Sequence, residues 1–237
     1  MNNVLKEILA SGQVTDGRSA FPLESHMSES EGALLSEVVQ LVKPDTSIEV
    51  GFAYGISTLY ICEALARNGK AAKHFVIDPF QREKYRGIGL KNVERAGYER
   101  FVVLQEEKSE IALPGLLSQR VSVQFALIDG WHTFDHTLVD FFYINKMLAT
   151  GGIVVIDDAD MPGVRRAIDH ILTYPAYELF KTNRPFDTDP PLRTAVRRRL
   201  AKATGFKIFD RAWDSLSCVA LRKVAADERQ WNWHVEF

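Results

Sequence analysis

The sequence predicts an α/β protein built on a Rossmann-like, doubly wound, mostly parallel sheet. Three observations carry this. Short apolar runs alternate with stretches of helical periodicity, the pattern of repeated βαβ units. The runs are continuous and rich in β-branched residues, which marks strands buried on both faces. No repeat, low-complexity tract or evident linker breaks the 237 residues, so the class applies to one domain.

The elements follow in order. ESEGALLSEVVQLVK (29–43) places Leu34, Leu35, Val38, Val39 and Val42 at helical spacing, and Pro44 and Asp45 end the helix. SIEVG (47–51) is a short buried strand, followed by a helix over Ser57–Arg67. HFVIDPF (74–80) is the second strand, with a polar helix from Gly87 to Ala96. FVVLQ (101–105) is the third, before a short helix over Ile111–Leu117. VQFALID (123–129) is the fourth, before a helix over Phe134–Met147. GGIVVIDD (151–158) is the fifth, and Pro162 opens the helix GVRRAIDHIL (163–172). YELFKT (177–182) and SCVALRKV (217–224) are the last strands. The expected division is a helical entry over 1–43, the core over 44–224 and an aromatic tail over 225–237 that packs on the body.

Hydrophobic residues at 46% and charged residues at 25% are ordinary globular usage, and a chain this long buries a core without disulfides or structural zinc. Cys62 and Cys218 lie apart inside apolar runs and read as buried thiols of a reducing compartment. The N-terminal MNNVLKEILASG is an amphipathic fragment without the apolar centre of a signal peptide, and no stretch is long enough to span a bilayer. A cytoplasmic location is expected. The net charge of −2 gives no reason to invoke nucleic acid or an anionic membrane as partner. The one basic run, Arg193–Lys202, reads as a solvated helix face, with a phosphate-binding patch as the alternative. A homodimer is the expected assembly.

Chemistry concentrates at the strand ends. Glu49-Val50-Gly51-Phe52-Ala53-Tyr54-Gly55-Ile56-Ser57-Thr58 runs from strand to helix. Gly51 permits a tight turn, and Gly55 lets backbone approach a ligand. The helix opening near Ser57 offers free N–H groups to a carboxylate or phosphate. Glu49 would repel a pyrophosphate but could accept hydrogen bonds from a cationic amino group, which fits a ligand with an amino-acid end. The glycine spacing is not the GxGxxG dinucleotide fingerprint, and a tight turn without a ligand would also satisfy it. Asp78 ends the second strand, where an acid accepts hydrogen bonds from both ribose hydroxyls, although an acid before Pro79 can also form a turn. Ser109 is placed to line an adenine pocket or to cap its helix.

These residues resemble class I S-adenosylmethionine-dependent methyltransferases. IEVGFAYGIST is similar to their first motif, with Glu49, Gly51, Tyr54, Gly55 and Ser57 as cofactor residues, and VIDPF to their ribose-binding position. LIDGWHTFDHTLVDFFYINKMLATGGIVVIDD resembles the pattern of the subfamily related to catechol and caffeoyl-CoA O-methyltransferases, and ESHMSESEGALL resembles its helical entry. The resemblance covers about residues 28–160. It implies an antiparallel last strand, S-adenosylmethionine as donor, a small-molecule hydroxyl as acceptor and a divalent cation.

Asp129 ends the fourth strand and Asp157 and Asp158 the fifth, so three carboxylates could converge, at a cost that a Mg²⁺-type ion would relieve. The resemblance implies metal ligation at Asp129, Asp157 and Asp158, with Asp158 standing where the catechol type carries Asn. Asp129 also falls among the cofactor residues. His132 stands where that type carries its catalytic lysine, and imidazole suits a general base. Trp131 could wall the acceptor cleft. A competing metal set is His132, His136 and Asp140. Outside methyl transfer, an NAD(P)-dependent oxidoreductase lacks its fingerprint here, since Tyr143 and Lys146 miss the Tyr-x-x-x-Lys spacing. A non-catalytic nucleoside-binding protein would also retain the fold. Gln13–Met27, Gln81–Gly89 and Asn183–Pro191 are expected to shape the acceptor pocket.

Overall fold

The computed structural model describes residues 1–24, 26–184 and 216–235. The basic run Arg193–Lys202 and most of the Asn183–Pro191 loop lie outside the described residues.

The chain opens with α1 (Asn3–Ser11), β1 (Gln13–Thr15) and β2 (Ala20–Pro22), then α2 (Glu29–Val42), β3 (Thr46–Val50) and α3 (Ile56–Asn68). It continues through β4 (Lys73–Ile77), α4 (Ile88–Arg95), β5 (Val102–Gln105), α5 (Ser109–Ser118), β6 (Val123–Ile128) and α6 (Phe134–Met147). β7 (Leu148–Ile156), α7 (Pro162–Ile171), β8 (Tyr177–Thr182) and β9 (Val219–Lys223) complete it.

Seven strands form one sheet in the order β5-β4-β3-β6-β7-β9-β8. β4 and β6 flank β3 in parallel, β5 and β7 extend the parallel set, and β9 pairs antiparallel with both β7 and β8. The last strand in sequence is therefore inserted one place in from the edge. The order reverses beside β3, where chain leaves for β4 on one side and β6 arrives on the other; such a switch point places a crevice at the carboxyl ends of the strands.

Both faces of the sheet are covered, as the unbroken apolar runs predict. On one face, Ile48, Val50, Ala126, Ile128, Val154 and Ile156 pack with Leu113, Phe141, Ile144 and Ile168 of α5, α6 and α7. On the other, Phe125, Leu127, Ile153 and Val155 meet Leu35, Val38, Ile61 and Leu65 of α2 and α3, with Cys62 and Cys218 buried as free thiols. Helix ends follow local chemistry. Ser28 and Glu31 form a capping box on α2, and Pro162 stands in the first turn of α7.

The N-terminal fragment is a complete helix capped by the Asn2 side chain, and it continues into the β1–β2 hairpin, which pairs only with itself. The aromatic tail packs in part: Trp233 meets Tyr174 edge-on with centroids 5.4 Å apart, whereas Trp231 is 95% exposed.

Candidate active site

Gly51 leaves β3 with φ of +93°, and a Cβ built there would fall 1.9 Å from the Asp129 carbonyl oxygen. The backbones after β3 and β6 are thus in direct contact, joined by a hydrogen bond from Asp129 N to Val50 O at 2.9 Å. Gly55, at φ of +78°, faces the backbone of Gly89 in α4. The loop between these glycines is tied from outside. Gln81 Nε2 donates to Ala53 O at 2.8 Å, and Asn92 Nδ2 donates to Tyr54 O at 3.0 Å; both residues are fully buried. Sequence reasoning missed both. Asn92 carried a signal, since it sits beside Val93 on the inward stripe of a polar helix.

Asp78, at the end of β4, is buried beside this loop. Its Oδ2 accepts from Ala53 N at 2.7 Å and Phe52 N at 3.3 Å, and its Oδ1 accepts from Phe80 N at 2.8 Å. A carboxylate offers about four lone-pair sites, so the loop contacts leave acceptor capacity. Glu49 is fully buried and meets protein donors: the Ser57 hydroxyl, Thr58 Oγ1 at 2.7 Å and His74 Nε2 at 2.7 Å. It faces the first turn of α3 rather than open solvent. That turn has Gly55 as its cap and no side-chain capping bond. Tyr54 sets its ring edge-on to Tyr85, centroids 5.3 Å apart. Ser109 begins α5, and its hydroxyl lies against Asp140 of α6.

The carboxylates after β6 and β7 do converge. Burial, then Asp157 and Asp158, push the Asp129 carboxyl well above the usual range. Asp157 is raised by burial, then by Glu31 and Asp158. Burial also raises Asp158, against the lowering effect of His132. His132 Nδ1 lies 3.1 Å from Asp158 Oδ2. The compact set with metal-ligand spacing is Asp129, His132 and Asp158, whose ligand atoms all fall within 4.8 Å of one another. Asp157, expected as a ligand, is outside that set, which His132 completes. β7 ends at Ile156, and the chain turns at Asp158 with φ of +52°. Asp157 Oδ1 is buried without a hydrogen-bond partner among the described residues. The sequence also gave no prominence to Glu31, which accepts from Ser28 N at 2.6 Å and from the Ser217 hydroxyl while adding negative field to all three aspartates. Its Ser-x-x-Glu capping pattern was the available signal.

The competing set is not brought together. His136 is exposed and bonds Thr133, whereas Asp140 is buried and raised to about 6, first by desolvation. A carboxyl raised above its unfolded value stabilises the fold below the unfolded pKa, and that contribution is lost as pH rises through the folded pKa. Asp140 therefore costs stability between about pH 4 and pH 6 and beyond, by at most about 3 kcal/mol. Asp140→Asn is expected to raise the melting temperature at pH 8 and leave it little changed at pH 4. Equal melting temperatures at pH 8 would refute the buried-acid account.

Residues 48–159 match a family described as a methyltransferase domain. The chain is 25% identical over 193 residues to a catechol O-methyltransferase of Niastella koreensis, covering 78% of each chain. It is 24% identical to a rhamnosyl O-methyltransferase of Mycobacterium tuberculosis over 54% of this chain and 51% of that protein, so it spans about half of that relative. Among solved structures, an O-methyltransferase from Bacillus cereus in complex with SAH superposes with a TM-score of 0.66 at 16% identity, over 94% of this chain and 92% of that one. The chain carries a methyltransferase domain. In this methyltransferase the matched segment runs from β3 through the turn after β7. It thus contains the glycine loop, Asp78 and the Asp129–His132–Asp158 set. No helix among the described residues is long and apolar enough to cross a membrane.

Proposed function

We propose that the enzyme methylates a hydroxyl of a small-molecule acceptor, with a divalent cation assisting. The observation that carries this is the convergence of Asp129, Asp158 and His132 against the backbone of Gly51. One loop system therefore serves both donor and acceptor. The relatives named for catechol, rhamnosyl and caffeoyl-CoA acceptors support a hydroxyl over other atoms.

In this reading Asp78 accepts from the ribose hydroxyls, Ser109 lines the adenine, and the α3 N-terminus at Gly55–Ser57 receives the donor's carboxylate. Tyr54 flanks the donor and Trp131, which is 63% exposed, borders the acceptor cleft. The residues present fit a hard cation. The donors are carboxylate oxygens, and three crowded carboxyls are held out of their ordinary range. Asp129 and Asp158 would hold such an ion, with Asp157 behind them, and the ion would supply Lewis-acid stabilisation of an oxyanion. His132 takes the acceptor's hydroxyl proton, oriented by Asp158 at 3.1 Å. The oxygen lone pair then forms the bond to the methyl carbon as the carbon–sulfur bond breaks, leaving S-adenosylhomocysteine. The two free, buried cysteines support a cytoplasmic setting.

Calorimetry with S-adenosylhomocysteine tests the donor half. Wild type should bind, and Asp78→Ala should weaken binding by about tenfold or more, the worth of hydrogen bonds to a charged acceptor. Unchanged affinity would refute the ribose assignment. Binding of NAD(H) without S-adenosylhomocysteine would favour the oxidoreductase. A panel of catechols, hydroxycinnamoyl esters and deoxysugars, scored by S-adenosylhomocysteine release, tests the acceptor half. Transfer only to amines or thiols would overturn it.

A further inference from the structure

We propose that His74 is a positioning residue for the methyl donor: it fixes the Glu49 carboxylate against the first turn of α3, and so sets the affinity of that helix end for the donor's amino-acid portion. The inference rests on the proposed donor site.

The observation is a buried chain of polar groups beneath the glycine loop. β3 and β4 are paired in register with Ser47 opposite His74. Side chains two residues apart on a strand share a face, so Glu49 lies diagonally from the imidazole. Ser47 Oγ meets His74 Nδ1 at 2.9 Å, and His74 Nε2 meets Glu49 Oε2 at 2.7 Å. The same Oε2 accepts from Thr58 Oγ1 at 2.7 Å, and Oε1 accepts from the Ser57 hydroxyl. Ser47, Glu49, Thr58 and His74 are each 0% exposed, and Ser57 is 6% exposed.

The donor directions follow from the carboxylate, which accepts only. Nε2 must therefore present its N–H to Glu49, and Ser57 and Thr58 must spend their hydroxyl protons on it. A buried carboxylate without such partners carries a heavy desolvation cost. Strand β4 thus supplies the third donor that keeps Glu49 in place, and Glu49 turns the Ser57 and Thr58 side chains inward. With those hydroxyl protons directed into the protein, the backbone N–H groups of the turn remain for a carboxylate ligand, and the Ser57 oxygen keeps lone pairs for an ammonium group. Among the described residues His74 hydrogen-bonds Ser47 and Glu49 and none of Asp129, His132 and Asp158, so it takes no part in moving the acceptor's proton. It acts through Glu49 alone.

This separates binding from chemistry. His74→Leu should raise the Kd for S-adenosylhomocysteine and the KM for S-adenosylmethionine by about tenfold, the loss expected for a hydrogen bond to a charged group. At saturating donor, kcat should stay within about twofold, since uniform binding is lost. His74→Gln, which can still offer an N–H to Glu49, should recover most of the affinity. Because removing one partner of a buried pair can prevent folding, the double variant Glu49→Gln/His74→Leu is the second measurement. With both members neutralised it should fold, bind weakly, and gain nothing from restoring His74 alone. A melting temperature that falls while Kd and KM stay at wild-type values would overturn the proposal, leaving a purely structural pair. So would a loss confined to kcat. Should wild type itself fail to bind S-adenosylhomocysteine, the donor site falls first, and this inference with it.

Discussion

Gly51→Ala is expected to abolish detectable S-adenosylhomocysteine binding and to lower the melting temperature by about 10 °C or more. Two penalties act at once. The residue sits at φ of +93°, where an L side chain costs of order 1–3 kcal/mol. Its Cβ would also stand 1.9 Å from the Asp129 carbonyl oxygen, and the clash is with backbone rather than with a flexible side-chain end. Overpacking of that kind adds about 1–3 kcal/mol even where neighbours can move. Relief requires separating the turns after β3 and β6, which are also joined through Asp129 N and Val50 O. A few kcal/mol is a large share of a stability of about 5–15 kcal/mol, and each shifts the melting temperature by about 2–4 °C at this chain length. Gly55→Ala should be milder. Its φ of +78° carries similar strain, but its nearest contacts lie at 3.0–3.4 Å. Scanning fluorimetry and calorimetry on both variants test the ranking. A Gly51→Ala protein with native melting and native affinity would remove the close approach of the two turns.

The sheet was legible because its central strands are buried on both faces, so composition alone marks them. Val123–Ile128 and Leu148–Ile156 carry runs that no amphipathic helix would tolerate. β1 and β2 were not legible: at three residues each they pair only with one another and are too short to leave a periodic trace. The glycine loop announced itself through Gly51 and Gly55, but its fastening did not. Gln81, Asn92 and His74 are polar residues placed singly, and each acquires meaning only from a partner 25 to 38 residues away. His74 reads in sequence as a polar interruption at the start of an apolar run; the parallel register alone reveals Ser47 opposite and Glu49 on the diagonal.

Asp129→Asn is expected to lower kcat by at least about a hundredfold, the scale of losing a positioned catalytic group or the charge stabilisation a bound ion supplies. The same substitution should stabilise the metal-free protein at neutral pH, so activity and stability move in opposite directions. Burial and the neighbouring Asp157 and Asp158 raise the Asp129 carboxyl. Its contribution to stability is present below the ordinary carboxylate range and is lost as pH climbs through the raised value. The wild-type protein in chelator should therefore melt lower at pH 8 than at pH 5, and Asp129→Asn should flatten that slope. Mg²⁺ or Mn²⁺ should restore both melting temperature and turnover to wild type, because a cation held by Asp129 and Asp158 would relieve their like-charge repulsion. The asparagine variant should gain little from either ion. Full wild-type turnover in excess EDTA would remove the ion from the mechanism. Asp129 would then be left with its carbonyl against Gly51 as its main role, and His132 with Asp158 would carry the proton transfer. A purely structural acid cluster would instead raise the melting temperature on substitution without the loss in kcat, so the two measurements together identify which role Asp129 plays.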